Sequence, residues 1–429
     1  MIEPKVLKGF RDSLPQQEIV RQTLMGKIQE ILRSFGFVPI DTPALEYTEV
    51  LLGKGGGETD KQMFRFQDNG GRDVALRFDL TVPLARYVAA NYSQLSFPFK
   101  RYHMAKVWRG EKPQKGRFRE FLQCDFDMVG VDNAQSDFEI LLLIHTCLTK
   151  MQVGPFKVSV SHRGLLNRFL ASMGISEKSA DVLRAIDKLG KIGSDAVKEI
   201  LVEDGLTQEQ TENVISFISI EKNSFESTLN KLSEMFGQCD EIFRLSQILE
   251  MMKACGIQDD FILDTSITRG LDYYTGIVYE TLLLDMPSIG SICSGGRYNN
   301  LAGLYTKENL PGVGSCIGLD RLIAALEELK SPIVTNASYA DVMVIGKKEE
   351  PAWSESIAMK LRELGIRTDS YVGEKGTGQQ FAYAEKNGIP YVIAAHNPED
   401  PNLFSVKEIA TRKMLENLTL EQIASLVRG

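Results

Sequence analysis

Residues 99–130 read FKRYHMAKVWRGEKPQKGRFREFLQCDFDMVG. From Phe99 onward Arg101, His103, Ala105, Val107 and Arg109 alternate with Tyr102, Met104, Lys106 and Trp108, the period of two that marks a strand. After a polar loop, Gly110 to Arg119, the chain returns through Phe121 to Gly130. On this return Gln123, Asp125 and Asp127 lie on one side and Cys124, Phe126 and Met128 on the other. The spacing predicts an antiparallel hairpin with one apolar and one strongly polar face. Strand residues two apart are separated by about 6 to 7 Å, so Gln123 and Asp127 span roughly 13 Å, about the length of a small amino acid joined to a phosphate. A solvated sheet face is the ordinary reading of such a pattern, since antiparallel sheets often leave one side in water. The loop holds Lys112, Lys115, Arg117 and Arg119 within eight residues. Four such cations suit a polyphosphate or an RNA end, or else a solvated hairpin tip.

Working outward, Glu18 to Phe35 places Val20, Leu24, Ile28, Ile31 and Leu32 on one helical face, and Gly36 stops it. Phe37 to Tyr47 reads as a strand entering a turn, with Pro39 and Pro43 restricting its ladder. Asp79 to Ala90 is helical. Between about Ile175 and Met252 helical spacing dominates, which predicts a helical insertion. Strand patterns return at Gly276 to Leu284 and Ser288 to Cys293, with Gly295 to Tyr298 as the connection onward, and Leu319 to Leu329 is a helix. Beyond a polar linker, Ser331 to Tyr339, strands at 342–345, 367–371 and 391–395 alternate with helices at 353–364 and 379–386. That alternation predicts a small α/β domain. The chain is thus expected to divide at 1–328, with the insertion at 175–252, and 336–429.

At 429 residues, 43% hydrophobic and 25% charged, the chain exceeds one ordinary core. No stretch approaches the roughly 18 apolar residues of a membrane span, the longest apolar run, Ile140 to Ile144, reading as buried helix. Met1 to Pro15 lacks the apolar core of a signal peptide, and a cytoplasmic location is expected. Six scattered cysteines without a Cys-x-x-Cys pair suggest neither a zinc site nor a disulfide framework, and no metal-ligating protein cluster is predicted. A net charge of −8 argues against indiscriminate nucleic-acid binding but leaves room for a local basic face.

Three further clusters carry chemistry. Arg269 to Gly276 sets an arginine, a carboxylate and the adjacent Tyr273 and Tyr274 between glycines; on a strand the two tyrosines would point to opposite faces, one of them toward something polar. Gly295-Gly296-Arg297-Tyr298 and Gly312-Val313-Gly314 permit close backbone approach to a ligand. Arg321 sits early in the helix that follows. Each glycine run alone is a weak signal, fitting neither a Walker nor a Rossmann pattern.

Taken in order, these segments resemble the histidyl-tRNA synthetase family. Lys8 to Asp12 resembles its opening, Phe37 to Tyr47 class II motif 1, the dimerisation element, and Leu76 to Thr81 its amino-acid loop. Phe99 to Gly130 is similar to motif 2 and Gly312 to Leu322 to motif 3, while Arg269 to Gly276 and Ser294 to Tyr298 resemble signatures of the histidine-specific branch. The resemblance implies an α+β catalytic domain on an antiparallel sheet and a C-terminal α/β anticodon-binding domain. It implies a homodimer acting on histidine, ATP with Mg2+, and tRNA(His). By the same resemblance Arg109 contacts the α-phosphate, Phe121 stacks on adenine, and Glu111, Arg117 and Arg321 hold the rest of the nucleotide. Asp79, Thr81 and Gln123 receive the α-ammonium group. Asp127, Tyr274 and Tyr298 read the imidazole, Tyr273 lines its pocket, and Arg269 neutralises the α-phosphate. Gln114 falls where bacterial members read the extra guanosine of the acceptor end.

Asp79, Asp127 and Asp320 are shorter than the glutamates of many bacterial members, and Lys375 to Lys386 is less basic than the family pattern. Cys293 and Ser294 interrupt a usually glycine-rich run. The family's non-catalytic relatives, such as the regulatory subunit of ATP phosphoribosyltransferase, offer a rival reading as a histidine sensor. A purely RNA-binding module, the third reading, would not need an amino-acid pocket beside ATP-binding arginines.

Overall fold

The computed structural model describes residues 1–53, 62–267, 273–331, 333 and 338–428. By internal contacts the chain forms two compact units: Met1–Arg11 with Leu24–Leu329, and Asp12–Thr23 with Lys330–Gly429.

In the first unit the strands are β1 (Val38–Pro39), β2 (Leu45–Tyr47), β3 (Arg65–Gln67), β4 (Asp73–Leu76), β5 (Phe99–Trp108), β6 (Glu120–Val129), β7 (Phe156–His162), β8 (Phe261–Leu263), β9 (Ile277–Leu283), β10 (Cys293–Arg297) and β11 (Gly312–Gly318). Eight of them form one sheet in the order β1-β5-β6-β11-β10-β9-β7-β8. Only the edge pairs, β1 with β5 and β7 with β8, run parallel. The predicted hairpin is its centre: β5 and β6 pair from Phe99 opposite Val129 to Trp108 opposite Glu120. Its apolar face, with Cys124, Phe126 and Met128, is fully buried. The helix Ala134–Met151 buries Ile140, Leu141, Leu143 and Ile144, and Asn133 caps it by accepting from the Ser136 amide. Strands β2, β4 and β3 form a small separate sheet.

Between β7 and β8 the expected helical insertion is present as helices at Ser179–Ile186, Leu189–Glu203, Gln208–Ile218, Phe225–Phe236 and Asp240–Ala254. Thr207 and Ser224 start two of them with reciprocal capping boxes, which satisfy amides that a helix N-terminus otherwise leaves unpaired.

Three expectations need correction. Phe37 to Tyr47 is two short strands in different sheets, not one. Ser288 to Cys293 is not a strand: Pro287 opens a turn through Ile289, Gly290 follows at φ +79°, and the strand is Cys293–Arg297. Gly295 to Arg297 therefore lie inside a strand rather than connecting two. A methyl at Gly295 would meet the Gly314 carbonyl and the Tyr279 ring, so these glycines serve tight sheet packing. Tyr273 and Tyr274 precede β9 and lie on no strand. Their rings touch at 4.9 Å and both join one cluster with Tyr298.

The second unit has a five-stranded sheet of β12 (Val342–Val344), β13 (Thr368–Ser370), β14 (Tyr391–His396), β15 (Phe404–Glu408) and β16 (Met414–Leu418), ordered β13-β12-β14-β15-β16. Val342 and Val344 pack into one core, Met343 and Ile345 into another, as befits a strand covered on both faces. The two antiparallel strands β15 and β16 and the final helix Leu420–Arg428 were not foreseen. Among the described residues no helix is long and apolar enough to cross a membrane.

Candidate active site

The polar face of the hairpin is not wet. Gln123, Asp125 and Asp127 are 7%, 3% and 2% exposed, and Arg101, opposite Asp127 on β5, is wholly buried. Burying charge without compensation is costly, so these groups have specific partners. Arg101 Nη2 lies 2.6 Å from Asp127 Oδ2, and Tyr298 donates its hydroxyl to Asp127 Oδ1 at 2.5 Å. Room for this carboxylate comes from β11: a methyl at Gly314, the cross-strand partner of Asp127, would collide with it, and one at Gly312 would collide with the Tyr298 ring.

Two more acids share the environment. Asp79 Oδ1 accepts from the Val82 amide at 3.2 Å at the start of the helix Thr81–Ala90, while its Oδ2 is buried without a hydrogen-bond partner among the described residues. Burial raises Asp79 to about 6, against the pull of the Val82 amide and then of Arg109 and Arg101. Burial raises Asp125 to about 7, opposed mainly by Arg101. Asp127 is also raised by burial, with Arg101 and Tyr298 pulling it down. The cluster is thus rich in carboxyls that would ionise fully beside an additional cation. It borders a pocket of about 210 Å3 lined by Thr81, Asp125, Asp127, Tyr274, Tyr298 and Cys316. The ring centre of Tyr273 lies 6.0 Å from that of Tyr298.

A larger, open cavity adjoins the first. Arg109, Glu111, Arg117, Phe121, Gln123 and Arg321 line it, and Cys316 and Ser294 line both cavities. Arg109 donates Nε to the Phe78 carbonyl at 2.9 Å, and its guanidinium carbon lies 5.2 Å from the Phe121 ring centre. Glu111 and Arg117 form an ion pair, and Arg321 Nη1 donates to the Ser291 carbonyl at 2.6 Å. Asp320 fastens this end: Oδ1 accepts from Arg11 at 2.6 Å, Oδ2 from the Leu122 amide at 2.6 Å, and the Arg11 guanidinium sits 4.0 Å over the Phe118 ring. The opening segment, the hairpin and the helix Leu319–Glu328 are thereby tied together.

One candidate falls elsewhere: Gln114 is exposed at the hairpin tip, in the tight turn it forms with Arg117. Arg269 lies outside the described residues. Arg297, from the second glycine cluster, is structural: it donates to Asp137 at 2.8 Å, to Ser136 at 2.8 Å and to the Val131 carbonyl at 3.0 Å. Cys293 is also internal, its sulfur 3.1 Å from the Ser315 hydroxyl. Sequence reasoning assigned no role to Arg101, Asp125 or Cys316. For Arg101 the signal was a lone arginine on the same strand face as Arg109.

A family model described as histidyl-tRNA synthetase matches residues 9–322, and one described as anticodon binding domain matches residues 340–429. The chain belongs to the histidyl-tRNA synthetase family. The histidine–tRNA ligase of Treponema denticola is 54% identical over 396 residues, covering 91% of this chain and 88% of that one. That of Rhodopirellula baltica is 46% identical, covering 96% and 95%. The crystal structure of histidyl-tRNA synthetase from a Nostoc species superposes with a TM-score of 0.88 at 33% identity, over 100% of this chain and 99% of that one. A Bacillus halodurans structure described as an ATP phosphoribosyltransferase regulatory subunit/histidyl-tRNA synthetase matches at 0.74 with 21% identity, covering 89% and 97%, a likeness of fold alone. The anticodon-binding match falls within the second unit, and the synthetase match covers the eight-stranded sheet.

Proposed function

We propose that this cleft activates histidine with ATP, releasing pyrophosphate, and then transfers the histidyl group to the 3′ end of tRNA(His). The activity is that of a class II histidine–tRNA ligase. One observation carries the residue-level reading: an acid-lined pocket and an arginine-lined cavity meet at Cys316 and Ser294, as the joining of an amino acid to a nucleotide requires.

In this reading the ammonium group of histidine enters among Asp79, Thr81 and Gln123, and its imidazole is read by Asp127, Tyr274 and Tyr298, with Tyr273 behind. The histidine carboxylate attacks the α-phosphorus in line, one P–O bond forming as that to pyrophosphate breaks. No general base takes part, because the carboxylate is already ionised; the gain comes from positioning and from cations near developing charge. Arg109 serves the α-phosphate, Arg269 neutralises it as pyrophosphate leaves, and Phe121 stacks on adenine. Arg321, Arg117 and Glu111 hold the remaining phosphates. Magnesium commonly uses one or two carboxylates plus substrate phosphates, and Glu111, a carboxylate lining the cavity, fits that donor set. When bound, the metal would neutralise phosphate charge.

Gln114, exposed at the loop tip, would meet the acceptor end of tRNA. The working form would be a homodimer. Val38, Leu45 and Tyr47 of the motif 1 region, with Phe66 in the register row of Tyr47, leave large apolar side chains exposed, as an interface would. The cytoplasm, where tRNA and ATP meet, is the expected compartment.

Histidine-dependent exchange of pyrophosphate into ATP tests the reading. The folded protein should catalyse it, and Arg269→Ala should abolish exchange while histidine still binds. A folded protein without exchange would point to the histidine sensor instead. Lost histidine binding in Arg269→Ala would show that its role is in the amino-acid pocket.

A further inference from the structure

Cys316 stands at the junction of the two cavities and touches two buried polar groups. The Gln123 amide donates Nε2–H to its sulfur at 3.1 Å. The Asp125 carboxylate lies opposite Cys316 across the β6–β11 pair and acts on the same thiol. Gln123 Oε1 and Asp125 Oδ1 are both buried without a hydrogen-bond partner among the described residues, and both side chains line a cavity.

A thiol has one proton, and an ionised carboxylate only accepts. Once the Cys316 proton is turned to Asp125, the sulfur can meet Gln123 only as an acceptor. The amide must then turn its NH2 to the sulfur and its carbonyl toward the cavity. The opposite orientation would face an entering ammonium group with N–H donors, which repel it. Orientation of an amide is decided by its network, and here the network runs Gln123 to Cys316 to Asp125.

We propose that Cys316 is a positioning residue that fixes the polarity of Gln123, so that a carbonyl oxygen receives the α-ammonium group of the amino-acid substrate. This rests on the assignment of Gln123 to that group. Cys316 touches neither reacting atom, and its effect is confined to amino-acid affinity. A serine keeps one donor and an acceptor at this position. Alanine keeps neither and frees the amide to rotate.

The test is steady-state pyrophosphate exchange with Cys316→Ala, Cys316→Ser, Gln123→Ala and the alanine double variant. Cys316→Ala should raise KM for histidine about fivefold, the worth of one neutral hydrogen bond, while KM for ATP changes less than about twofold. Cys316→Ser should restore most of the affinity, and Cys316→Ala should add nothing in the Gln123→Ala background, as coupled residues require. A raised KM in Gln123→Ala with an unchanged KM in Cys316→Ala overturns the inference alone, as do additive effects or failure of serine to rescue. An unchanged KM for histidine in Gln123→Ala overturns the assignment of Gln123 and this inference with it. If alanine destabilises the sheet, Cys316→Val, which keeps bulk without a donor, decides by the same readout.

Discussion

Replacing Asp125 by asparagine should make the ligand-free protein more stable in alkali, an outcome opposite to that of most substitutions of buried polar groups. Burial holds the Asp125 carboxyl at about 7, above its ordinary 3.8. A carboxyl with a folded pKa above its unfolded one contributes fully to stability below about pH 4 and loses that contribution as pH rises through 7. At about 1.4 kcal/mol per pH unit, the ionised group costs the fold about 4 kcal/mol by pH 8 and about 1.5 kcal/mol at pH 5. Asparagine has no such term. The advantage of Asp125→Asn over the native chain should therefore grow by about 3 kcal/mol between pH 5 and pH 8. Its fixed loss, in contacts of the protonated carboxyl that asparagine does not reproduce, is roughly 1 kcal/mol.

Urea unfolding measures this directly. The chain has two tryptophans, Trp108 on β5 and Trp353 in the second unit, so a Trp353→Phe background reports the catalytic unit alone. The native chain should lose stability steadily from pH 5 to pH 8 and the variant much less. Saturating histidine should also lessen the native slope, because an ammonium group in the pocket favours ionised acids. Equal pH slopes for the two proteins would refute the claim that burial of Asp125 outweighs the pull of Arg101.

Gly314→Ala should leave secondary structure intact but raise KM for histidine by tenfold or more in exchange assays, since the added methyl displaces Asp127 from Arg101 and Tyr298; overpacking of this kind costs about 1–3 kcal/mol. A variant with native histidine affinity would show that Asp127 does not read the substrate. Arg11→Ala should raise KM for ATP roughly three- to tenfold, the worth of a half-buried charged hydrogen bond, and leave KM for histidine alone. Equal changes in both constants would mean that Arg11 holds the domain as a whole rather than the nucleotide end.

The hairpin was legible because alternation has only one period to detect, and the insertion because 78 residues at helical spacing leave little ambiguity. Whether the polar face of the hairpin was wet or buried was not legible, because that depends on β10 and β11, which arrive from residues 293–318. The same holds for Arg101: its pairing with Asp127 follows from Trp108 lying opposite Glu120, and the register cannot be counted until the loop length is known. The glycines have a use that was not read: the missing side chains of Gly295 and Gly314 make room for a neighbouring carbonyl and for the Asp127 carboxylate, while Gly314 also lines the smaller pocket. In the second unit β15 and β16 escaped notice because FSVKE and MLENL are short and half polar, as strands toward the edge of a sheet can be.

On the proposed reading the acids and guanidinium groups also set the direction in which the substrate lies. Among the described residues Asp79, Asp125 and Asp127 gather about the buried Arg101, with Arg109 and Arg77 acting on them as well, so the acids collect at the amino-acid end, whereas Arg109, Arg117 and Arg321 line the other cavity. Histidine brings a cation and a ring N–H at one end and a carboxylate at the other. Only one orientation places each beside its complement, and that orientation directs the carboxylate to the nucleotide cavity. The same reading accounts for selection of the side chain. Asp127 is held by Arg101 and Tyr298, so an amino acid without a ring N–H leaves the remaining acceptor capacity of a buried carboxylate unused. Sites built around such a group reject analogues that lack the donor far more strongly than apolar pockets reject a missing methylene. The burial that makes ionised Asp125 and Asp79 costly in the empty protein thus favours a cationic ligand in the filled site.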